Sequence, residues 1–179
     1  MKRLSLLIIT LIVFGVVNSK TTTNKNNIKP LKTVPVQTQI SDRGYVNDLL
    51  LAAIDSGDYT EVAAVLKNHQ VDVNNNDHTH IPILQHAIMA GGDQADQIIK
   101  LLLEAGAKVN SQDMLDGMTA LMLAADSRRK NADQIAQLLI SHGAKLNLKN
   151  KQGQTALEIA QANCNQAVIT VIQTAMTAE

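Results

Sequence analysis

Aromatic residues are almost absent from this 179-residue sequence. It has no tryptophan, a single phenylalanine (Phe14) and two tyrosines (Tyr45 and Tyr59). A nucleic-acid surface that stacks bases needs aromatic faces, so the composition argues against that class of binding site. The core must instead be built from Leu, Ile, Val and Ala, and these side chains suit helices packed closely on helices.

The sequence also has a single cysteine and no excess of charge of either sign. Cys164 is the only cysteine, which excludes an intrachain disulfide and a multi-cysteine metal site. We predict that its thiol is packed in a turn, and a reactive thiol is the alternative. Sixteen basic and sixteen acidic residues give no net charge, so no large field points to nucleic acid or an anionic membrane. We interpret the longest basic run, residues 128–130, as a solvated turn, with a docking site for an acidic partner as the alternative.

The N-terminal part has the order of a secretory leader. A basic start precedes an apolar run over residues 4–17, and small polar residues follow as far as Ser19. This order predicts a signal peptide, residues 1–19, and a periplasmic or secreted protein. An uncleaved anchor is the alternative, but crossing a bilayer takes about 20 apolar residues. Residues 20–41 are rich in Thr, Asn and Lys, and we predict a flexible linker there.

The remaining sequence repeats itself. The segment Ala-Asp-Gln-Ile that begins at Ala95 recurs from Ala132, a shift of 37 residues, and Gly-Ala-Lys at 106–108 recurs at 143–145 with the same shift. A period in the thirties with helical spacing predicts a solenoid of stacked helix pairs.

One unit shows how each helix pair is specified. Thr119 carries a hydroxyl that can cap the first turn of a helix, and Leu121 opens an apolar stripe at i, i+3 and i+4. The same spacing returns over residues 135–139, which predicts the second helix. Gly143 then predicts a left-handed C-cap. In the last unit, a polar outer face on residues 166–176 predicts a terminal cap.

These features, in register, resemble the ankyrin-repeat family. Residues 147–160 follow the family's turn-and-helix pattern, and leucines at 50, 84, 121 and 157 occupy one equivalent position. The resemblance covers about residues 45–176 and implies an all-α solenoid of about four ankyrin repeats, each a helix–turn–helix with a β-turn finger, with capping terminal repeats. The expected domain is 42–179, with repeats at about 45–76, 77–112, 113–149 and 150–179.

Two departures from the family pattern matter. The family's His after T-P-L is replaced by Leu51, Gln85, Met122 and Glu158, so we expect its hydrogen bonds between repeats to be missing. The second and third repeats carry about three extra residues between their helices, which predicts longer helix ends or turns.

The resemblance implies that a protein partner is held by the turn tips and the first helix of each repeat. Met114, Leu115 and Met118 are on one such tip, and flexible Met side chains suit an adaptable binding surface. The alternative is that Leu115 and Met118 fold back on the adjacent repeat. Asp113 and Asp116 are interpreted as turn-forming residues. The predicted protein-binding residues are Asp77, His78, Thr79, Ile81, Met89, Met114, Leu115, Asp116, Met118, Asp126, Lys151 and Gln154.

A metal site is the competing interpretation. His78, His80 and His86 are close in sequence, and three imidazoles can bind zinc. We interpret them as solvated side chains on a polar tip, and predict no metal and no cofactor. The sequence contains no recognisable nucleophile–base pair, phosphate loop or His-Glu-x-x-His helix, so we predict a non-catalytic protein. A His-based metal enzyme is the remote alternative.

Leader and repeats together predict an exported adaptor or inhibitor, monomeric, that binds a protein in a bacterial envelope and no nucleic acid. The short leader and the lack of a cysteine pair or an Asn-x-Ser/Thr acceptor favour a bacterial source. The chain resembles small exported ankyrin proteins that protect or assist an envelope enzyme, and the resemblance implies a role of that kind. A secreted effector that binds host proteins through the same surface is the alternative.

Overall fold

The computed structural model of the protein describes residues 43–68, 71–74 and 80–178, with side chains from residue 47 onward. The predicted signal peptide (1–19) and linker (20–41) lie outside these residues and stay predictions.

Helices joined by turns make up the described part of the chain. In order they are α1 (Arg43–Ser56), α2 (Tyr59–Asn68), α3 (Ile83–Ala90), α4 (Ala95–Glu104), α5 (Ala120–Asp126), α6 (Ala132–Ser141), α7 (Ala156–Ala162) and α8 (Gln166–Ala178). Consecutive helices pack as four pairs, α1 with α2 through to α7 with α8. The odd-numbered helices contact one another in sequence, and so do the even-numbered ones. These two rows of helices confirm the predicted all-α solenoid of about four repeats.

The core is built from aliphatic side chains, as the composition requires. Leu50, Leu84 and Leu121 are buried at equivalent positions of α1, α3 and α5, and the register predicted for Leu121 is confirmed. Ala124 and Ala160 are also buried, on α5 and α7. Short side chains at such positions let neighbouring helices approach closely, so the larger leucines and isoleucines fill the remaining space.

Two of the odd-numbered helices begin with a capping box. The hydroxyl of Thr119 accepts a hydrogen bond from the backbone N–H of Met122, and the hydroxyl of Thr155 accepts one from Glu158, both at 3.3 Å. The Glu158 carboxylate accepts in return from the Thr155 N–H at 2.7 Å. Each box satisfies N–H groups that have no partner within the helix. The predicted Thr119 cap is therefore confirmed.

The extra residues of the middle repeats form longer turns. Residues 91–94 join α3 to α4 and residues 127–131 join α5 to α6, whereas only residues 57–58 separate α1 from α2. Gly91 begins the first of these turns with φ +67° and ψ −140°. Such a conformation is open to glycine and strained for other residues.

Left-handed residues follow several of the helices. Gly143 has φ +83° after α6, as predicted, and Cys164 has φ +55° after α7, where the family pattern has a glycine. The prediction that the Cys164 thiol is packed in its turn is wrong, because its side chain is exposed.

A recurring asparagine joins the first repeat to the second and the second to the third. The Asn74 side chain donates to the Gly106 carbonyl at 3.1 Å and accepts from the Lys108 N–H at 2.8 Å. Asn110 repeats both contacts with residues 143 and 145, at 2.9 and 2.8 Å. An amide supplies both a donor and an acceptor, which matches the two backbone groups that it faces.

Gln85 overturns part of the prediction that hydrogen bonds between repeats are missing. Its buried side chain donates from Nε2 to the carbonyls of Ser111 at 2.9 Å and Met118 at 2.8 Å, in the following turn. Glutamine can replace histidine here because its amide carries two N–H donors. At the same position of α5 and α7, Met122 and Glu158 instead complete the capping boxes.

The last helix has the two faces that a terminal repeat needs. Val168, Ile169 and Ile172 are buried, whereas Thr170 and Gln173 on the opposite face are exposed. This division agrees with the predicted cap. None of the helices described here is long and apolar enough to cross a membrane.

Candidate protein-binding site

The third finger, residues 113–118, is organised by one carboxylate. Asp113 is buried, and its two carboxylate oxygens accept hydrogen bonds from the N–H groups of Leu115 at 2.8 Å, Asp116 at 2.7 Å and Met118 at 2.9 Å. The prediction that Asp113 forms the turn is confirmed. Side chains that bond their own backbone fix a turn without help from a partner, so the third finger is held in one conformation.

The tip of the third finger presents apolar side chains to solvent. Met114 is 64% exposed and Leu115 is 62% exposed. The alternative interpretation, in which Leu115 folds back on the adjacent repeat, is therefore wrong for this residue. Met118 does fold back: it is half-buried against the hydrophobic core. The Met118 carbonyl also accepts a hydrogen bond from the Asp113 N–H across the finger at 3.0 Å. Of the three apolar residues predicted as contacts on this finger, Met114 and Leu115 are therefore the exposed ones.

The fourth finger, residues 150–154, repeats the design with an asparagine. The Asn150 side chain accepts from the N–H groups of Gln152 at 3.1 Å and Gln154 at 2.8 Å. Gln154 also accepts from the Asn150 side chain through its own amide oxygen at 3.3 Å. This finger is one residue shorter than the third, and its exposed tip residues, Lys151 and Gln152, are polar.

Lys151 ties the two fingers together. Its backbone N–H donates to the Asp116 carbonyl at 2.8 Å, and its ammonium group donates to the Met114 carbonyl at 2.7 Å. Gln112 adds a second tie, because its side chain donates to the carbonyls of Gly117 at 2.6 Å and Lys149 at 2.9 Å. Three predicted contact residues, Met114, Asp116 and Lys151, are thus brought together at one place.

The ends of the odd-numbered helices form a second part of the predicted surface. Met89 is 52% exposed at the end of α3, and its carbonyl accepts from the Arg129 guanidinium at 2.7 Å. Asp126 is exposed at the end of α5, where its carboxylate accepts from the Asn163 amide at 2.8 Å. Each predicted contact residue is therefore linked to the turn of the following repeat.

Sequence patterns did not reveal Gln112 or Arg129. Gln112 is bonded to a carbonyl 37 residues away and Arg129 to one 40 residues away. The spacing of residues within one helix or turn cannot predict hydrogen bonds between residues so far apart in the sequence. The prediction that residues 128–130 are simply solvated is wrong for Arg129, which is half-buried.

The second finger, residues 77–81, is only partly described. Asp77, His78 and Thr79 lie outside the described residues, so their assignment as contacts stays a prediction. Ile81 is half-buried. Among the three histidines of the metal interpretation, His86 has a partner on another helix, since its Nε2 lies 2.8 Å from the Asp55 carboxylate on α1. No group of three His, Cys, Asp or Glu side chains able to hold a metal occurs among the residues that the structure describes.

Two carboxylates at the starts of helices are held in their charged form by hydrogen bonds. The backbone N–H and hydroxyl of Thr155 lower the pKa of Glu158 below its usual 4.5. The hydroxyl and N–H of Thr60 likewise lower the pKa of Asp58 below 3.8. A hydrogen bond that is made to the charged carboxylate favours that form. Both groups therefore stabilise the start of a helix.

A comparison with protein families agrees with this geometry. The family model described as ankyrin repeats (3 copies) matches residues 84–176, which is more than half of the chain. No curated protein matches the sequence. Ankyrin repeats are a protein–protein interaction module and are typically non-catalytic. Family model and helix arrangement lead to one conclusion: the chain belongs to the ankyrin-repeat family.

Proposed function

We propose that this protein is an exported, non-catalytic ankyrin-repeat adaptor or inhibitor that binds a protein partner in a bacterial envelope. The observation that carries the proposal is the exposed apolar pair Met114 and Leu115 on a finger held from both sides. Asp113 fixes the finger from within, and Lys151 fixes it from the neighbouring finger.

The physical support comes from the combination of exposure and rigidity. Two adjacent apolar side chains that protrude from a turn gain free energy when a partner removes them from water. A finger that already holds its bound conformation loses little conformational entropy on binding. Met114 adds a flexible, polarisable side chain that can adapt to a partner's surface. Protein binding uses all three properties.

The envelope location rests on the leader. A signal peptide over residues 1–19 delivers the mature chain, from Lys20 onward, outside the cytoplasm. The proposed cleavage is tested by measuring the intact mass of the protein purified from its native source. A mass equal to that of residues 20–179 supports export, and a mass equal to that of the full chain from Met1 contradicts cleavage. Protein found in the culture medium instead of the envelope fraction indicates a secreted effector.

Affinity capture tests the binding role. Mature protein is immobilised, exposed to a native envelope extract, and the retained proteins are identified by mass spectrometry. We expect one enriched protein, and we expect its loss when Met114 and Leu115 are both replaced by serine. Met176→Ser is the matched control, since Met176 is 54% exposed on α8, away from the fingers. Equal capture by all three proteins, or no specific capture, contradicts the proposal.

A further inference from the structure

We propose that the basic turn, residues 127–131 between α5 and α6, is a docking site for an acidic segment of the protein partner. This inference rests on the proposed function and adds the chemistry of the partner. The turn lies beside Met89, which already belongs to the predicted contact surface.

Arg129 is held in a fixed position. Its guanidinium donates to the Met89 carbonyl at 2.7 Å. It also lies so close over Gly91 that a Cβ atom there would fall 1.6 Å from its Nη1. The absence of a side chain at Gly91 therefore makes room for the charge, and the exposed Met89 backbone anchors it.

The charge of Arg129 is not neutralised. Its Nη1 is buried and has no hydrogen-bond partner, and within the described residues Arg128, Arg129 and Lys130 take part in no ion pair. A half-buried charge costs free energy unless a group of opposite charge lies near it. Two further cations on the same turn increase that cost, and an incoming carboxylate reduces it.

A shallow cleft borders the basic turn on the side of the following repeat. It has a volume of about 220 Å³ and is lined by Ser127, Arg128, Arg129, Asn163, Cys164 and Asn165. The cleft separates the basic turn from the turn that joins α7 to α8. Two asparagine bonds fix this second wall, since Asn165 donates to the Ser127 carbonyl at 2.9 Å and Asn163 donates to the Asp126 carboxylate at 2.8 Å.

The local charge favours an anion. Asp126 is the carboxylate beside the cleft, and its charge is partly offset by the Asn163 amide. The basic turn carries three cations, which are Arg128, Arg129 and Lys130. Arg128 and Lys130 are exposed and can pair with an incoming carboxylate, whereas the Nη1 of Arg129 is buried and its Nη2 is bonded to Met89. An Asp or Glu side chain of a partner therefore matches this turn in charge.

The first test is a nuclear magnetic resonance titration of the isotope-labelled mature protein with a hexaglutamate peptide. We expect backbone amide shifts concentrated at residues 127–131 and 163–165, and their loss at about 1 M salt, where charges are screened beyond ~3 Å. Hexaglutamine should leave these amides unshifted. Shifts spread over the whole surface, or equal shifts with inorganic phosphate at the same charge concentration, contradict a carboxylate-segment site.

A pair of charge-reversal variants localises the effect. Replacing Arg128 and Lys130 together by Glu leaves the bonds of Arg129 in place and should weaken hexaglutamate binding by roughly threefold or more. The double variant Lys108→Glu, Lys145→Glu changes the net charge equally at exposed positions elsewhere. It should bind the peptide about as the native protein does. Equal weakening by both variants overturns the inference.

Affinity capture with the same variants separates this inference from the proposed function. If the native protein and the basic-turn variant retain the same partner equally, the docking inference is wrong and the binding function stands. If the peptide titration succeeds but no envelope protein is captured, the envelope partner is wrong and the acidic-segment site stands.

Discussion

Amide side chains make many of the hydrogen bonds between neighbouring repeats. Asn74 and Asn110 each join two backbone groups of the following repeat, and Gln85 joins two carbonyls of the following turn. Each amide satisfies backbone groups that form no bond within their own helix. A single residue of this kind therefore fixes the position of one repeat on the next.

Replacing Gln85 tests this role. Gln85→Ala leaves two carbonyls short of a donor and opens a small cavity, so we expect a loss of about 1–3 kcal/mol in the free energy of unfolding. Chemical denaturation measures it. Gln152→Ala, at an exposed position of the fourth finger, should change stability by less than about 0.5 kcal/mol. Similar losses for both variants contradict the role of Gln85 as an inter-repeat brace.

The sequence predicted residues whose roles are local. Thr119 and Asp113 act on backbone groups within five residues, and the buried Leu121 follows from helical spacing. Gln85 and Arg129 escaped prediction because their acceptors lie 26 to 40 residues away. Only the stacking of repeats brings those atoms together, so the sequence pattern did not report them.

At the scale of helices, the starts of α5 and α7 are set by capping boxes, and that of α7 includes an ionisable group. The Thr155 N–H and hydroxyl lower the pKa of Glu158 because both donate to its charged carboxylate. A carboxyl whose pKa is lower in the folded than in the unfolded protein stabilises the fold above its unfolded pKa. That stabilisation is lost as the pH falls through the folded pKa.

The Glu158→Gln variant tests the sign of this effect. We expect it to be less stable than the native protein at neutral pH, and the difference in unfolding free energy to shrink as the pH falls below 4.5. Urea denaturation at several pH values measures the difference. A gap that stays constant or widens down to low pH contradicts the assignment of Glu158 as a charged cap.

The apolar stripe of α5 gives a second prediction at this scale. Leu121→Ala removes a side chain that is 1% exposed in the core, so we expect a loss of roughly 2–5 kcal/mol in the free energy of unfolding. Leu115→Ala is the same chemical change at an exposed finger tip and should cost less than about 0.5 kcal/mol. Chemical denaturation of both variants measures the two losses. If Leu121→Ala costs as little free energy of unfolding as Leu115→Ala, the register assigned to α5 is wrong.

The helix pairs followed from the sequence more readily than the details of the fingers. Apolar spacing and the 37-residue shift predicted the helices of the third repeat, whose bounds the structure gives as Ala120–Asp126 and Ala132–Ser141. For Met118 the sequence left two alternatives, exposure on the binding surface and packing on the adjacent repeat, and helical spacing does not decide between them for a residue in a turn. The carbonyl and side chain of Met118 face the preceding repeat and the core, and this surrounding exists only in the folded solenoid.

At the scale of the whole molecule, the described repeats present two features. One is the apolar tip of Met114 and Leu115, held by Asp113 and Lys151. The other is the row of helix ends at Met89 and Asp126, where the basic turn lies. A solenoid exposes such features along an extended surface, so one partner can contact several repeats at once.

Photocrosslinking in the native source tests the binding claim most directly. A photoreactive amino acid replaces Leu115 at the finger tip, and a second protein carries it at Gln137, an exposed position of α6. Illumination followed by mass spectrometry should give one discrete adduct with a second protein from position 115 and none from position 137. The same adduct from both positions, or none from position 115 in cells that contain the folded protein, contradicts a protein-binding finger.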